Sequence, residues 1–176
     1  PIFRGDLKAD RIVMNGTELT EIRSIVHYEN GIVEMDHTGF RQGESGSVTA
    51  NLRYDTQTEA LHGTMDMENF DVGALLALAD QKEDRIAGKI TSRASFGGTR
   101  DNPSAVLTGT ISEGTVAGYP VTDVAVDVSY VNHVLTIKTL AGKQGSGTFS
   151  AAGTADFYGT SNVNITASDI ALGMFT

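Results

Sequence analysis

The 176-residue chain contains no cysteine, which excludes disulfide staples and any zinc site built on thiolates. Cysteine-free chains suit an oxidising compartment such as the periplasm, a trait shared with many cytosolic domains. Basic runs are missing too. With a net charge of −9 and a pI near 4.8, the chain lacks the clustered Lys and Arg that hold a phosphate backbone. Its densest charge cluster, DQKEDR (Asp80–Arg85), is of mixed sign and reads as a solvated turn. No stretch approaches the ~18 consecutive apolar residues of a transmembrane helix. The longest apolar run, ALLALA (Ala74–Ala79), is too short to span a bilayer or to form a signal-peptide core. The chain opens Pro1-Ile2-Phe3 without an initiator Met, and we expect a section of a longer protein whose targeting signal or anchor lies elsewhere.

Catalytic signatures are equally scarce. The glycine-rich stretch FGGTRDNPSAVLTGTI (Phe96–Ile111) is neither a Walker loop nor a dinucleotide fingerprint. A strand follows Pro103, so no helix N-terminus is available to hold a phosphate. Asn102 before Pro103 favours an extended turn, and a corner between strands is the expected reading. GKQGSG (Gly142–Gly147) lies between two strands and is expected to be a loop. His27, His37, His62 and His133 show no short ligand spacing; His27 and His62 fall on the polar side of their strands. Asp66, Glu68 and Asp71 cluster without a calcium-loop pattern. Ser45 and Ser146 lie in glycine loops with no identifiable base, and no G-x-S-x-G elbow exists. We expect no catalysis, no metal and no cofactor.

What the chain does have is alternation. Ile22, Ser24, Val26 and Tyr28 share one face against Arg23 and His27. Val48, Ala50, Leu52 and Tyr54 repeat the pattern, as do Val124, Val126, Val128 and Tyr130, and then Val163, Ile165 and Ala167. Similar segments cover Leu61–Met67, Ile86–Phe96, Val134–Leu140 and Thr148–Phe157. One stretch, Val72–Ala79, reads as a short helix. Roughly twelve strands and one helix predict an all-β protein, and Val, Ile, Thr and Tyr in the alternating segments agree.

The chain also repeats itself. LTEIRSIVHYENGIVEM (Leu19–Met35) aligns with VTDVAVDVSYVNHVLTI (Val121–Ile137) at an offset of 102. Approximate copies are expected over 1–80 and 107–176, joined by strands and the corner at 81–106. Each strand offers an apolar face that one short helix cannot hide. A closed sandwich, a closed barrel and an open trough with a guest on its lining all satisfy the alternation.

The corner at Gly98–Pro103, the L-x-G-x-I strand at Leu107–Ile111, the valines of Val124–Tyr130, the strand Asn132–Ile137 and the closing Gly145–Gly153 follow one another in order. This unit resembles the TamB/AsmA-like repeats, from Gly5 to the C-terminus. The first copy departs from it, with NGTELTEI (Asn15–Ile22) where the second has GYPVTDV (Gly118–Val124). It also ends in the Val72–Ala79 helix, whose counterpart would be IALGMF (Ile170–Phe175).

The resemblance implies an elongated antiparallel sheet folded lengthwise into a β-taco, a trough with an apolar interior. It implies an inner-membrane-anchored, periplasm-crossing protein of a diderm bacterium that moves phospholipid to the outer membrane or supports outer-membrane protein assembly. The implied partners are phospholipid acyl chains or amphipathic β-strand substrates, and an Omp85-type (TamA-like) outer-membrane barrel. On this reading Ile22, Val26, Val48 and Leu52 line the trough, with Met65, Ile90 and Phe96 beyond them. Val124, Val126, Val128, Ile137, Phe149, Val163 and Ile165 continue the lining. Twelve strands at ~4.8 Å stack to about 55 Å, with raw edges that favour end-to-end self-association. The rival reading is a structural or interaction module that binds protein through a sheet edge.

Overall fold

Each strand pairs antiparallel with the next in sequence, and among the described residues no other strand pairing occurs. The computed structural model describes residues 1–78, 85–99 and 101–171. Its elements are β1 (Ile2–Met14), β2 (Thr17–Glu29), β3 (Ile32–Gln42), β4 (Gly46–Asp55), β5 (Leu61–Asp71), α1 (Val72–Leu78), β6 (Ile86–Gly98), β7 (Pro103–Val116), β8 (Tyr119–Val131), β9 (Val134–Gln144), β10 (Gly147–Asp156) and β11 (Asn162–Ser168). They form one eleven-stranded sheet in the order β1 to β11. Eleven strands among the described residues replace the twelve expected. With β1 and β11 left as edges, the sheet closes neither into a barrel nor into a two-sheet sandwich. The helix matches its expected position, although Ala79 and residues 80–84 of the charged turn lie outside the described residues.

Most of the turns are built on Asn and Gly, which tolerate a left-handed backbone; Ala117 is the exception. Asn15–Gly16 and Asn30–Gly31 have φ of 48°/83° and 49°/85°, which makes two-residue hairpins whose twist matches the strands. Ala117–Gly118 and Asn132–His133, 102 residues later, have φ of 51°/81° and 49°/66°. β2 and β8 begin at Thr17 and Tyr119, and β3 and β9 at Ile32 and Val134, so strand starts repeat at the same offset. β7, the counterpart of β1, starts at Pro103, inside the joining segment expected over 81–106. GKQGSG is mostly strand ends, with only Gly145 and Ser146 forming the turn.

Bulges give the sheet its shape. Glu21 and Asp123, again 102 apart, both have φ of 53°, and Asn69 has φ of 48°. The register shifts beside each, and again between Met35 and Thr38 and between Gly88 and Ile90. A bulge bends its strand and tightens the local twist. Repeated from strand to strand, these shifts curl the open sheet lengthwise into a trough-like form.

The core sits on the face of the sheet that α1 covers, where Leu19, Ile22, Val48, Met67, Phe70, Val72 and Ile90 are buried together. Ala74, Leu75, Leu76 and Leu78 of α1 pack on them. Asp71 starts the helix, its Oδ1 accepting the Ala74 N–H at 2.8 Å, as an N-cap does. Asn15 Nδ2 donates to the Ala77 carbonyl at 3.0 Å and ties the helix to the β1–β2 turn.

The β4–β5 turn carries a pH-dependent clasp. Asp55 Oδ1 accepts the N–H groups of Gln57 and Thr58 at 2.8 and 3.2 Å, and these backbone donors, Gln57 first, hold its carboxyl below the usual carboxylate range. A depressed folded-state pKa contributes stability above the unfolded value of about 3.9 and loses it as pH falls through the lower folded value. Amide exchange at Gln57 and Thr58, corrected for intrinsic rates, is expected to lose its protection below about pH 4. Asp55→Asn should flatten that profile.

Candidate functional site

Residues paired across neighbouring strands share a face of the sheet, so the register sorts the whole chain into two sides. Val48 pairs with Met67, Ala50 with Met65 and Leu52 with Gly63. Met65 pairs with Ala94, Ala94 with Leu107 and Leu107 with Val128. Following these ladders outward puts every residue expected to line the trough, from Ile22 in β2 to Ile165 in β11, on one face. No Asp, Glu, Lys or Arg of any strand lies on that face. Ser24, a polar residue on it, is satisfied across the sheet by Thr38, with the hydroxyls 2.8 Å apart.

Charges occupy the other face in cross-strand pairs: Arg53 with Glu34 at 3.1 Å, Arg93 with Asp66 at 2.6 Å, and Lys143 with Asp123 at 2.8 Å. The Asp66 and Asp123 carboxylates raise the pKa of Arg93 and Lys143, first by hydrogen bonding and then by charge. Exposed pairs of this kind contribute little stability; they keep one face wet. Asp66 is thus paired with Arg93, while Asp71 is a helix cap. Among the described residues no group of His, Asp and Glu is arranged to hold a metal. His27 is half-buried between Glu29 and Glu34, at 3.8 and 3.7 Å.

The apolar face is unevenly covered. Its strip near the Glu21, Asn69 and Asp123 bulges is buried, and Ile111 joins the core under α1 to a second cluster around Val121 and Val124. Toward both edges the same face is open: Phe3 is 59% exposed and Ile165 60%. Val26, Leu52, Phe96, Val128 and Ile137 are half-buried between these extremes.

Three hollows matter. The largest, about 630 Å³, is formed by polar turn residues and α1, among them Asn15, Glu18, Gln42 and Gly73. Glu18 there is engaged by Arg11 at 2.6 Å, and no pair of groups is placed for acid–base work. A second, about 490 Å³, lies at the Gly97–Ser104 corner beneath Tyr54, Leu61, Phe96 and Tyr130. The corner itself is a hairpin turn in which Thr99 and Asn102 exchange backbone hydrogen bonds. A third, about 260 Å³, is lined by Ile111, Val116, Val121, Val124, Val126, Leu140, Phe149 and Ile165, with Thr115 and Ser150 as its hydroxyl residues. Among the described residues, Ser92 Oγ and Asp127 Oδ1 are the buried side-chain oxygens without a hydrogen bond; Lys138 Nζ stands 3.8 Å from the latter.

Met67 and Phe70, the most buried side chains, and Leu19 and Val121 were not among the expected lining. The bulges at Asn69, Glu21 and Asp123 break the period-2 count that would have found Phe70, Leu19 and Val121. Met67 needed only one more step of alternation from Met65. Among the described residues no helix is long and apolar enough to cross a membrane, which says nothing of strands. Comparison with family models, with curated proteins and with solved structures returns no match to this chain.

Proposed function

We propose that the chain is a non-catalytic section of a hydrophobic conduit of the TamB/AsmA-like kind. It would carry phospholipid between the inner and outer membranes of a diderm bacterium, as part of an inner-membrane-anchored protein in the periplasm. The observation that carries this reading is the uncharged apolar face, continuous over eleven strands and left open toward both edges. Burying a sixteen-carbon chain on it is worth at most ~12 kcal/mol, at ~0.8 kcal/mol per methylene. A lining of similar aliphatic side chains from strand to strand lets the chain shift with little net change in free energy. The same face suits an amphipathic β-strand, so support of outer-membrane protein assembly, with an Omp85-type barrel as partner, belongs to the same proposal.

A photo-crosslinking amino acid placed at Val126, on the apolar face, and separately at Thr108, on the charged one, tests this in living cells. Phospholipid adducts are expected at Val126 and not at Thr108. Polypeptide adducts at Val126 would favour the strand as cargo. Equal labelling at both positions, or none with the protein intact, would sink the conduit. That outcome would favour a module that binds protein through its unpaired β1 or β11 edge, an arrangement the exposed ladder groups there also permit.

A further inference from the structure

The two free edges of the sheet are chemically different. β11 is 7 residues long, and Asn162, Asn164, Thr166 and Ser168, which alternate with its apolar residues, carry no charge. β1 is 13 residues long and carries Arg4, Asp6, Lys8 and Asp10 at period two, all exposed and alternating in sign. Among the described residues none of these four has an ionic or side-chain hydrogen-bonding partner, whereas Arg11 of the same strand is held by Glu18 of β2. Lys8 even stands opposite Arg23 on β2, a like-charge neighbour that a ladder ordinarily avoids. On the apolar side of the same stretch are Gly5, Leu7 and Ala9, with Leu7 43% exposed. A Cβ at Gly5 would stand 2.8 Å from Phe3 Cζ, so the exposed Phe3 ring lies over that glycine.

We propose that β1 is a docking edge for a second copy of this chain, the two β1 strands pairing antiparallel about a two-fold axis through Leu7. Alternating signs read backwards are their own complement, which a run of one sign is not. In this register Arg4 faces Asp10 of the partner subunit and Asp6 faces Lys8 of the partner subunit, so the symmetric contact holds four opposite-charge pairs. Lys8 thereby gains the carboxylate that is missing beside Arg23. Other registers lose this match. Centring the pair on Asp6 sets Asp6 against itself and Arg4 against Lys8; centring it on Lys8 sets Lys8 against itself and Asp6 against Asp10. Centring on Gly5 or Ala9 keeps only two of the four pairs, and a half-step puts the apolar face of one copy beside the charged face of the other. Charges on an edge strand ordinarily keep other strands away; with this alternation they admit a strand of the complementary order. The two-fold axis stands perpendicular to the sheet, so both apolar faces stay on one side and Leu7 meets its own symmetry mate. The contact stands apart from the conduit reading, because it needs only the β1 edge.

Because the chain has no cysteine, Leu7→Cys places a single thiol on the axis. Facing Cα atoms of an antiparallel pair are about 4.5–5.5 Å apart, within the span of a disulfide. Oxidised with copper phenanthroline, Leu7→Cys is expected to link into a covalent dimer. Ala9→Cys is expected to stay unlinked, because its two copies lie four residues, or about 14 Å, apart along the strands. Sedimentation equilibrium of the unaltered chain should show a reversible dimer, and its Kd should rise about tenfold or more in Asp6→Lys and in Lys8→Asp, where facing charges become alike. Mixing those two variants should restore association as a heterodimer, since every facing pair is again of opposite sign. Circular dichroism checks that these exposed changes leave the sheet in place. A chain that stays monomeric at millimolar concentration, or a dimer indifferent to both charge changes, would overturn the proposal. So would linking at Ala9→Cys as efficient as at Leu7→Cys, or association lost in Asn164→Pro, which would put the contact on β11.

Discussion

Phe70→Ala is expected to lower folding stability by about 3–5 kcal/mol, the usual cost of emptying a buried aromatic site. Phe70 is 1% exposed. Its ring meets the edge of Phe40 at a centroid distance of 6.3 Å and an angle of 79°. It stands opposite Ile90 in the first register step beyond the Asn69 bulge and belongs to the cluster on which α1 packs. Removing it opens a cavity that neither a paired strand nor a tethered helix can readily collapse into. Against a typical total of about 5–15 kcal/mol, the loss is a large fraction of the fold's stability. Ile165→Ala is the internal control. Ile165 lies on the same face but is 60% exposed, so its truncation should cost less than about 1 kcal/mol. Urea unfolding of both variants measures the difference. Equal losses would mean that the open part of the face is covered in solution, by a second copy at its edge or by a closure of the sheet.

The sidedness of the sheet was legible because alternation needs no long-range information. Val124, Val126 and Val128 declare a face by themselves, and their cross-strand partners Ile111, Gly109 and Leu107 only confirm which one. The Val72 helix was legible because its apolar run breaks the alternation. The repeat was legible at Tyr28 and Tyr130 and in the residues around them. The bulges were not. Nothing in the spacing of Leu19 and Ile22 shows that they share a face; that depends on Glu21 adopting φ of 53°. Asp123 and Asn69 inside an apolar alternation were the available hint, since Asp and Asn tolerate a left-handed backbone; Glu21, which has no such preference, gave none on its own and is found only through its match to Asp123. Curvature was hidden for the same reason. A sandwich, a barrel and a trough all read as alternation, and what separates them here is where the bulges fall and that β1 and β11 stay unpaired.

Gly109→Ala is the second large effect expected, and its sign comes from a competition. Gly109 has no left-handed φ to protect. Replacing glycine in a strand ordinarily gains about 0.5–1 kcal/mol through the unfolded chain. A Cβ at Gly109, however, would stand 2.4 Å from Ser92 Cβ, 2.7 Å from the Thr91 carbonyl oxygen and 2.9 Å from Ser92 Cα. Two of these atoms are backbone of the paired strand β6, so no rotamer change relieves the clash. Strands β6 and β7 must part locally, at about 1–3 kcal/mol for overpacking of this kind, and the contact outweighs the entropy. Gly39→Ala supplies the contrast, because a Cβ there meets only the Val48 carbonyl oxygen at 3.7 Å; it should be neutral or slightly stabilising. Thermal unfolding of the two variants reads the comparison directly. Gly109 also sits on the apolar face between Ser92 and Val126, where the second copy begins. Parting the strands there would break the continuity of the lining at the seam between the copies. In the Gly109→Ala protein, lipid crosslinking at Val126 should therefore fall together with stability, whereas in Gly39→Ala it should not change.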